Sequence, residues 1–235
     1  MASSSVASIA QRQRLAQDLL PNLSTCQARV LGMVSGAIVQ TNGCGLTRLS
    51  RWVAELEGVP AGRVRQRMRE LYYEAVAKRG KQRQEIEVEA CFAPLLAGVV
   101  RGWQGAKELA LALDASTVGQ RFTVLSISVV YRGCGIPVAW TILPAGEPGE
   151  WRAHWERMLR KLSGVLGTEW KVVAMADRGL YAPWLYRAIQ ANGWHPRFAR
   201  QGEFGVSGRG RSRFSPRGKP SAAARTPLAG AGRVE

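Results

Sequence analysis

From about Val6 to Trp103 the apolar positions recur at helical spacing. Leu46, Leu49, Val53 and Leu56 mark one helix, and Gly58-Val59-Pro60 ends it. Val64, Met68, Leu71 and Ala75 mark a second, flanked by Arg63, Arg65, Arg67 and Arg69. Two short amphipathic helices joined through a Gly and a Pro resemble a helix-turn-helix, in which the second helix reads DNA. An ordinary helical hairpin with solvated arginines carries the same pattern.

From Lys107 the texture changes to short strands. Leu109 to Asp114 is a compact apolar run ending in an acid. Arg121 to Tyr131 alternates, with Thr123, Leu125, Ile127, Val129 and Tyr131 on one side, and Arg132-Gly133-Cys134-Gly135 turns into a hairpin partner, Ile136 to Leu143. After a Pro/Gly loop, Trp151, Trp155, Met158, Leu159 and Leu162 predict a helix whose tryptophans belong to the core rather than to a base-stacking platform. Lys171 to Ala176 is a buried-type strand that closes on Asp177-Arg178-Gly179. A helix from about Ala182 to Gln190 stops at Asn192-Gly193, and Trp194 to Arg200 is a last strand. Strand, strand, strand, helix, strand, helix, strand predicts an α/β layer architecture. The stretch 205–235 holds seven Lys or Arg against one acid amid Gly, Pro, Ser and Ala, and reads as a disordered basic tail.

Charge narrows the partners. The 235 residues carry 33 Lys and Arg against 17 Asp and Glu, a formal net charge of +16 dominated by arginine. Arginine grips phosphate through a planar fork of donors, so a polyanion, and nucleic acid first, is the expected partner. Four scattered cysteines (Cys26, Cys44, Cys91, Cys134) and two histidines (His154, His195) offer no zinc spacing and fit a reducing cytoplasm. Both histidines read as structural. The longest apolar run, Val30 to Val39, falls well short of the about 20 residues a membrane span needs. Gly43-Cys44-Gly45 lacks the ending of a phosphate-binding loop, so no nucleotide cofactor is implied.

Asp114 and Asp177 are the candidate chemistry. If strands one to three form a meander, one edge of strand one stays free, and the crossover helix from Trp151 can lay the fourth strand parallel along it. Both acids then sit near the carboxyl ends of neighbouring strands, where open α/β sheets build their sites. Two apposed carboxylates repel unless a cation lies between them, and Mg²⁺ (or Mn²⁺) is the oxygen-seeking ion suited to carboxylates plus phosphate oxygens. Taken singly, each Asp is equally a cap or turn former.

Here the sequence resembles a family. The run Thr123 to Gly133, followed by Ile136-Pro137-Val138-Ala139-Trp140, is similar to bacterial insertion-sequence transposases of the DDE type. So are Ala176-Asp177-Arg178-Gly179-Leu180-Tyr181 and Gly193-Trp194-His195-Pro196. The resemblance implies an RNase H-like mixed sheet of order 3-2-1-4-5 and Mg²⁺-dependent cleavage and transfer of DNA strands in cut-and-paste transposition. It implies that Asp114 and Asp177 are the first and second catalytic, metal-holding acids. It further implies double-stranded DNA at transposon ends as partner, a place in the bacterial cytoplasm with the nucleoid, and no membrane. A homo-oligomer is compatible with it.

The family's third acid, a Glu in a Tyr-x2-Arg-x3-Glu pattern, has no counterpart after Phe204, and Glu203 lies too early to replace it. The expected organisation is a helical DNA-binding domain at 1–103, a partial catalytic core at 104–204 and a tail at 205–235 that resembles out-of-frame translation. Arg63, Arg65, Arg67, Arg69 and Arg178 are its candidate DNA contacts. A truncated copy with two acids is expected not to complete transposition by itself. A non-catalytic DNA-binding fragment, or a small basic nucleic-acid-binding protein, remains the alternative.

Overall fold

A reciprocal capping box starts the longest helix. In the computed structural model, which describes residues 9–78, 84–145 and 151–198, the Gln27 N–H donates to the Ser24 hydroxyl, while the Ser24 N–H donates to Gln27 Oε1 at 2.8 Å. The helix so begun, α2 (Thr25–Thr41), packs against α1 (Ile9–Leu19), α3 (Leu46–Glu57) and α4 (Ala61–Leu71). Gly32 of α2 permits the close approach of α1, since a Cβ there would lie 3.0 Å from the Arg12 backbone. Met33, Val34 and Ala37 of α2, Leu49, Val53 and Ala54 of α3, and Val64 and Met68 of α4 form one buried cluster.

The connection predicted between α3 and α4 is present. Gly58 takes the left-handed conformation (φ 66°) that ends α3, and Pro60 immediately precedes α4. The predicted stripe ran on to Ala75, but α4 stops at Leu71. There the Tyr72 N–H turns back to the Arg69 carbonyl, and the Ala75 N–H donates to the Glu85 carboxylate at 3.1 Å instead of to a helical carbonyl. Ala75 belongs to a short 3₁₀ turn.

The second half is α5 (Phe92–Arg101), β1 (Glu108–Val118), β2 (Phe122–Tyr131), β3 (Cys134–Pro144), α6 (Trp151–Leu162), β4 (Lys171–Ala176), α7 (Pro183–Ala191) and β5 (His195–Phe198). The five strands form one mixed sheet in the order β3-β2-β1-β4-β5, with β1 to β3 an antiparallel meander and β4 and β5 parallel to β1. That is an α/β architecture compatible with an RNase H-like fold. The meander turns tightly because Arg132 (φ 48°) and Gly133 (φ 81°) both adopt the left-handed conformation that matches strand twist.

Among the described residues the buried side chains of the sheet gather on one side. Leu109, Leu111 and Leu113 of β1, Leu125, Ile127 and Val129 of β2, and Val172, Ala174 and Ala176 of β4 face that layer. Trp155, Met158, Leu159 and Leu162 of α6, with Leu185 and Ile189 of α7, pack into the same cluster. The alternate strand positions (Ala110, Ala112, Val124, Ser126, Val173, Met175) are half-buried and take no part in it.

Helix α5 lies inside the segment expected to form a helical domain, yet its Phe92 and Leu96 are buried in the sheet's core. Leu20, Leu23 and Ala28 join Cys91 and Leu95 in a further cluster, so the described residues of the bundle and the sheet belong to one compact unit. The expected tail at 205–235, together with Glu203, Phe204 and the end of the predicted last strand at Arg200, lies outside the described residues. The four cysteines are unpaired. Among the described residues no helix is long and apolar enough to cross a membrane.

Candidate functional site

The parallel ladder between β1 and β4 ends at Leu113 and Ala176, and the next residue on each chain is an aspartate. Leu113 and Ala176 face the core, so alternation turns Asp114 and Asp177 to the open side of the sheet. Both are exposed. The register thus brings the two predicted acids side by side, each one residue beyond the last paired rung of neighbouring parallel strands.

Their settings differ from expectation in one respect. Asp114 does not end a strand: β1 continues to Val118, because Gly119 and Gln120 (φ 57° and 56°) close a tight turn that pairs Val118 with Phe122. Asp114 therefore lies inside β1, opposite Ser126 of β2. Asp177 does leave its strand, still extended at φ −68° and ψ 160°, and its carboxylate caps a single 3₁₀ turn, Arg178–Leu180.

Each carboxylate is held by a local donor. The Ser116 hydroxyl donates to Asp114 Oδ2, and the Gly179 N–H donates to Asp177 Oδ1. Asp114 Oδ1 and Asp177 Oδ2 accept no hydrogen bond among the described residues. Nor, among them, does any Lys or Arg lie within 4 Å of either carboxylate, and Arg178, exposed in the following turn, makes no ion pair with its neighbour.

As a donor set this is two carboxylates and a hydroxyl, all hard oxygens. That suits a Mg²⁺ or Mn²⁺ ion that completes its shell with water and substrate oxygens. It does not suit a protein-enclosed metal cage, and among the described residues no group of three or more His, Cys, Asp or Glu converges. His154 contacts Arg157 through Nδ1 at 2.8 Å on α6, and His195 pairs with Val173, four residues before Asp177. Neither belongs to the aspartate pair.

Three residues at this end of the sheet escaped the sequence reading. Ser116 follows Asp114 by two positions on the same face, and Ser126 is its cross-strand partner; strict alternation and the hairpin register would have found both. Arg197 of β5 pairs with Met175, two residues before Asp177, which places an exposed guanidinium group on the open face. Only the sheet order could have found that one.

The arginines of α4 do not form a single patch. With Val64 and Met68 buried, Arg63 and Arg67 fall on one flank of the helix and Arg65 and Arg69 on the other. Arg67 is half-buried, 3.9 Å from Glu57, a carboxylate that also takes Arg29 at 2.7 Å. Arg65 and Arg69 are exposed and make no ion pair among the described residues, as do Arg48 and Arg51 on α3.

No family model matches the chain, and no curated protein matches it in sequence. Among solved structures it is similar to the crystal structure of the Mos1 strand transfer complex, at 12% identity and a TM-score of 0.26, over 83% of this chain. It spans 59% of the length of that chain.

Proposed function

We propose that the chain is a DNA-processing enzyme of the DDE transposase type, in which Asp114 and Asp177 hold a divalent cation against a phosphodiester. One observation carries this reading: two aspartates, each one residue beyond the last rung shared by neighbouring parallel strands, in a sheet of order 3-2-1-4-5. A net charge of +16 supplies the attraction for a polyanion. When bound there, Mg²⁺ or Mn²⁺ would neutralise the carboxylates, activate an attacking oxygen and stabilise a leaving one. The chain's own residues do the positioning. Ser116 fixes Asp114 Oδ2 and the Gly179 amide fixes Asp177 Oδ1, which leaves one oxygen of each carboxylate to face a cation.

The second reading, a DNA-binding chain without catalysis, draws on the want of a third converging carboxylate among the described residues. Double-stranded transposon ends, a homo-oligomer and a bacterial insertion sequence belong to the first reading as further proposals.

Thermal melts in Mn²⁺ test the metal site. If binding is weak, with a Kd of roughly 0.5 mM, 5 mM Mn²⁺ should stabilise the fold by about 1.4 kcal/mol, or about 3–6 °C for a chain of this size. Asp114→Asn should remove that shift and cost little without metal, because an amide oxygen still accepts from Ser116 and the carboxylate repulsion is gone. Asp177→Asn is the sharper variant. Asparagine caps a helix about as well as aspartate, so a residue that is only a cap would show no change. A metal ligand would lose the Mn²⁺ shift while the metal-free melt stays put. A wild-type melt indifferent to 10 mM Mn²⁺ would leave two unrelated aspartates, one inside β1 and one capping a turn.

On the DNA side, Arg65→Gln with Arg69→Gln should reduce the salt slope of duplex binding by about 1.8, the value for two lost phosphate contacts. Arg67→Gln should change it least among the α4 arginines, since Glu57 already engages that guanidinium. Fluorescence anisotropy against KCl measures both.

A further inference from the structure

Away from the aspartates, on the helical layer behind the sheet, α6 and α7 leave a groove of about 490 Å³ between them. Ser163, Ala188 and Ala191 keep it open, because side chains that small cannot bridge two helices. Its rim is cationic. Arg152 and Arg160 project from α6, two turns apart, and Arg187 from α7; all three are exposed. Arg152 is engaged twice, by Glu156 at 2.7 Å and by the Trp184 ring 5.9 Å from its guanidinium carbon. Arg160 and Arg187 have no acidic partner among the described residues. Three guanidinium groups against one carboxylate leave the groove two charges positive.

We infer that this groove is a second nucleic-acid site, which takes the sugar–phosphate backbone of a DNA strand separate from the one offered to Asp114 and Asp177. The inference rests on the nucleic-acid reading above. Arg152 and Arg160 are eight residues apart, about 12 Å along the helix, which matches the rise of some three or four phosphates at about 3.4 Å each. Arginines free of internal partners suit phosphates, which they engage through paired N–H donors. Trp184, half-buried at the groove wall, presents an aromatic face to which an unpaired base could stack, whereas a duplex would use the arginines alone. An acidic peptide would meet the same charges but has no use for that face.

The test uses the full chain with labelled duplex and single-stranded oligonucleotides, followed by anisotropy between 50 and 200 mM KCl. Arg160→Gln with Arg187→Gln should lower the salt slope by about 1.8 for duplex and about 1.4 for single strands, so that its deficit against wild type shrinks about tenfold across the range for duplex. Arg101→Gln with Lys161→Gln removes equal charge from exposed positions outside the groove, and should lower the slope by less than half as much. Trp184→Phe should weaken single-strand binding severalfold and leave duplex binding unchanged if bases stack there; no change on either would assign the backbone contact to duplex, held by the arginines alone. The inference is overturned if the groove variant matches the charge control, or if it loses binding to polyglutamate while its DNA binding is intact. Failure of the wild-type chain to bind any DNA would overturn the function and the groove together, an outcome distinct from either of these.

Discussion

Between 50 and 200 mM KCl the affinity of the chain for duplex DNA is expected to fall about a thousandfold. Each arginine that neutralises a phosphate releases about 0.9 counterion, so six contacts give a log–log slope near −5.4. The described residues supply that number without help from residues committed elsewhere. Arg48, Arg51, Arg63, Arg65 and Arg69 of the helical bundle and Arg178 beside the aspartate pair are exposed and make no ion pair among the described residues. Arg29 and Arg67, both directed at Glu57, and Arg157, 2.9 Å from Glu89, are left out. Filter binding across the salt range measures the slope. A flat response would remove nucleic acid as the partner and with it both proposed sites.

Trp155→Ala should lower the stability of the fold by about 3–5 kcal/mol, a fall in Tm of roughly 6–20 °C for a chain of this length. Trp155 is 1% exposed and packs in the cluster that binds α6 to β1, β2 and β4. Removing its ring deletes the largest fully buried side chain of the layer and leaves a cavity that two flanking helices and a hydrogen-bonded sheet cannot collapse to fill. Urea titration with an unchanged m-value would locate the loss in the folded state. Trp184→Ala is the comparison: that ring is half-buried at the edge of the groove, and its loss should cost well under half as much. Equal costs would mean that α6 is not seated on the sheet through Trp155.

The same residue shows how far sequence alone reaches. Trp151, Trp155, Met158, Leu159 and Leu162 recur at helical spacing, and such a stripe must be covered by something apolar; the structure covers it with the sheet. Lys171–Ala176 was legible as a strand from its short apolar run, although only Val172, Ala174 and Ala176 of it are buried. The meander was legible from alternation and from Arg132-Gly133. The end of β1 was not. An apolar run closing on an acid looks finished, and only pairing with β2 out to Phe122 keeps Asp114 within the strand. The extent of α4 was misjudged for a similar reason, since Ala75 fits the stripe while its N–H goes to Glu85.

What the sequence determined by itself is the kind and order of elements, the positive charge, and the two aspartates as the acids that close apolar runs. Those properties are local, fixed by side-chain periodicity of two or 3.6 residues and by turn chemistry. The tertiary structure alone decided what depends on register between distant segments. It set Asp114 and Asp177 just past the same rung, 63 residues apart in the chain, and brought Ser126 opposite Asp114. It divided the α4 arginines between two flanks and gave Arg67 to Glu57. It also packed α5 against the sheet rather than with the bundle alone, and opened a groove between α6 and α7 where small residues meet. None of these is written in a local pattern, because a side chain's partners across a sheet or between helices are chosen by the burial of the whole apolar layer.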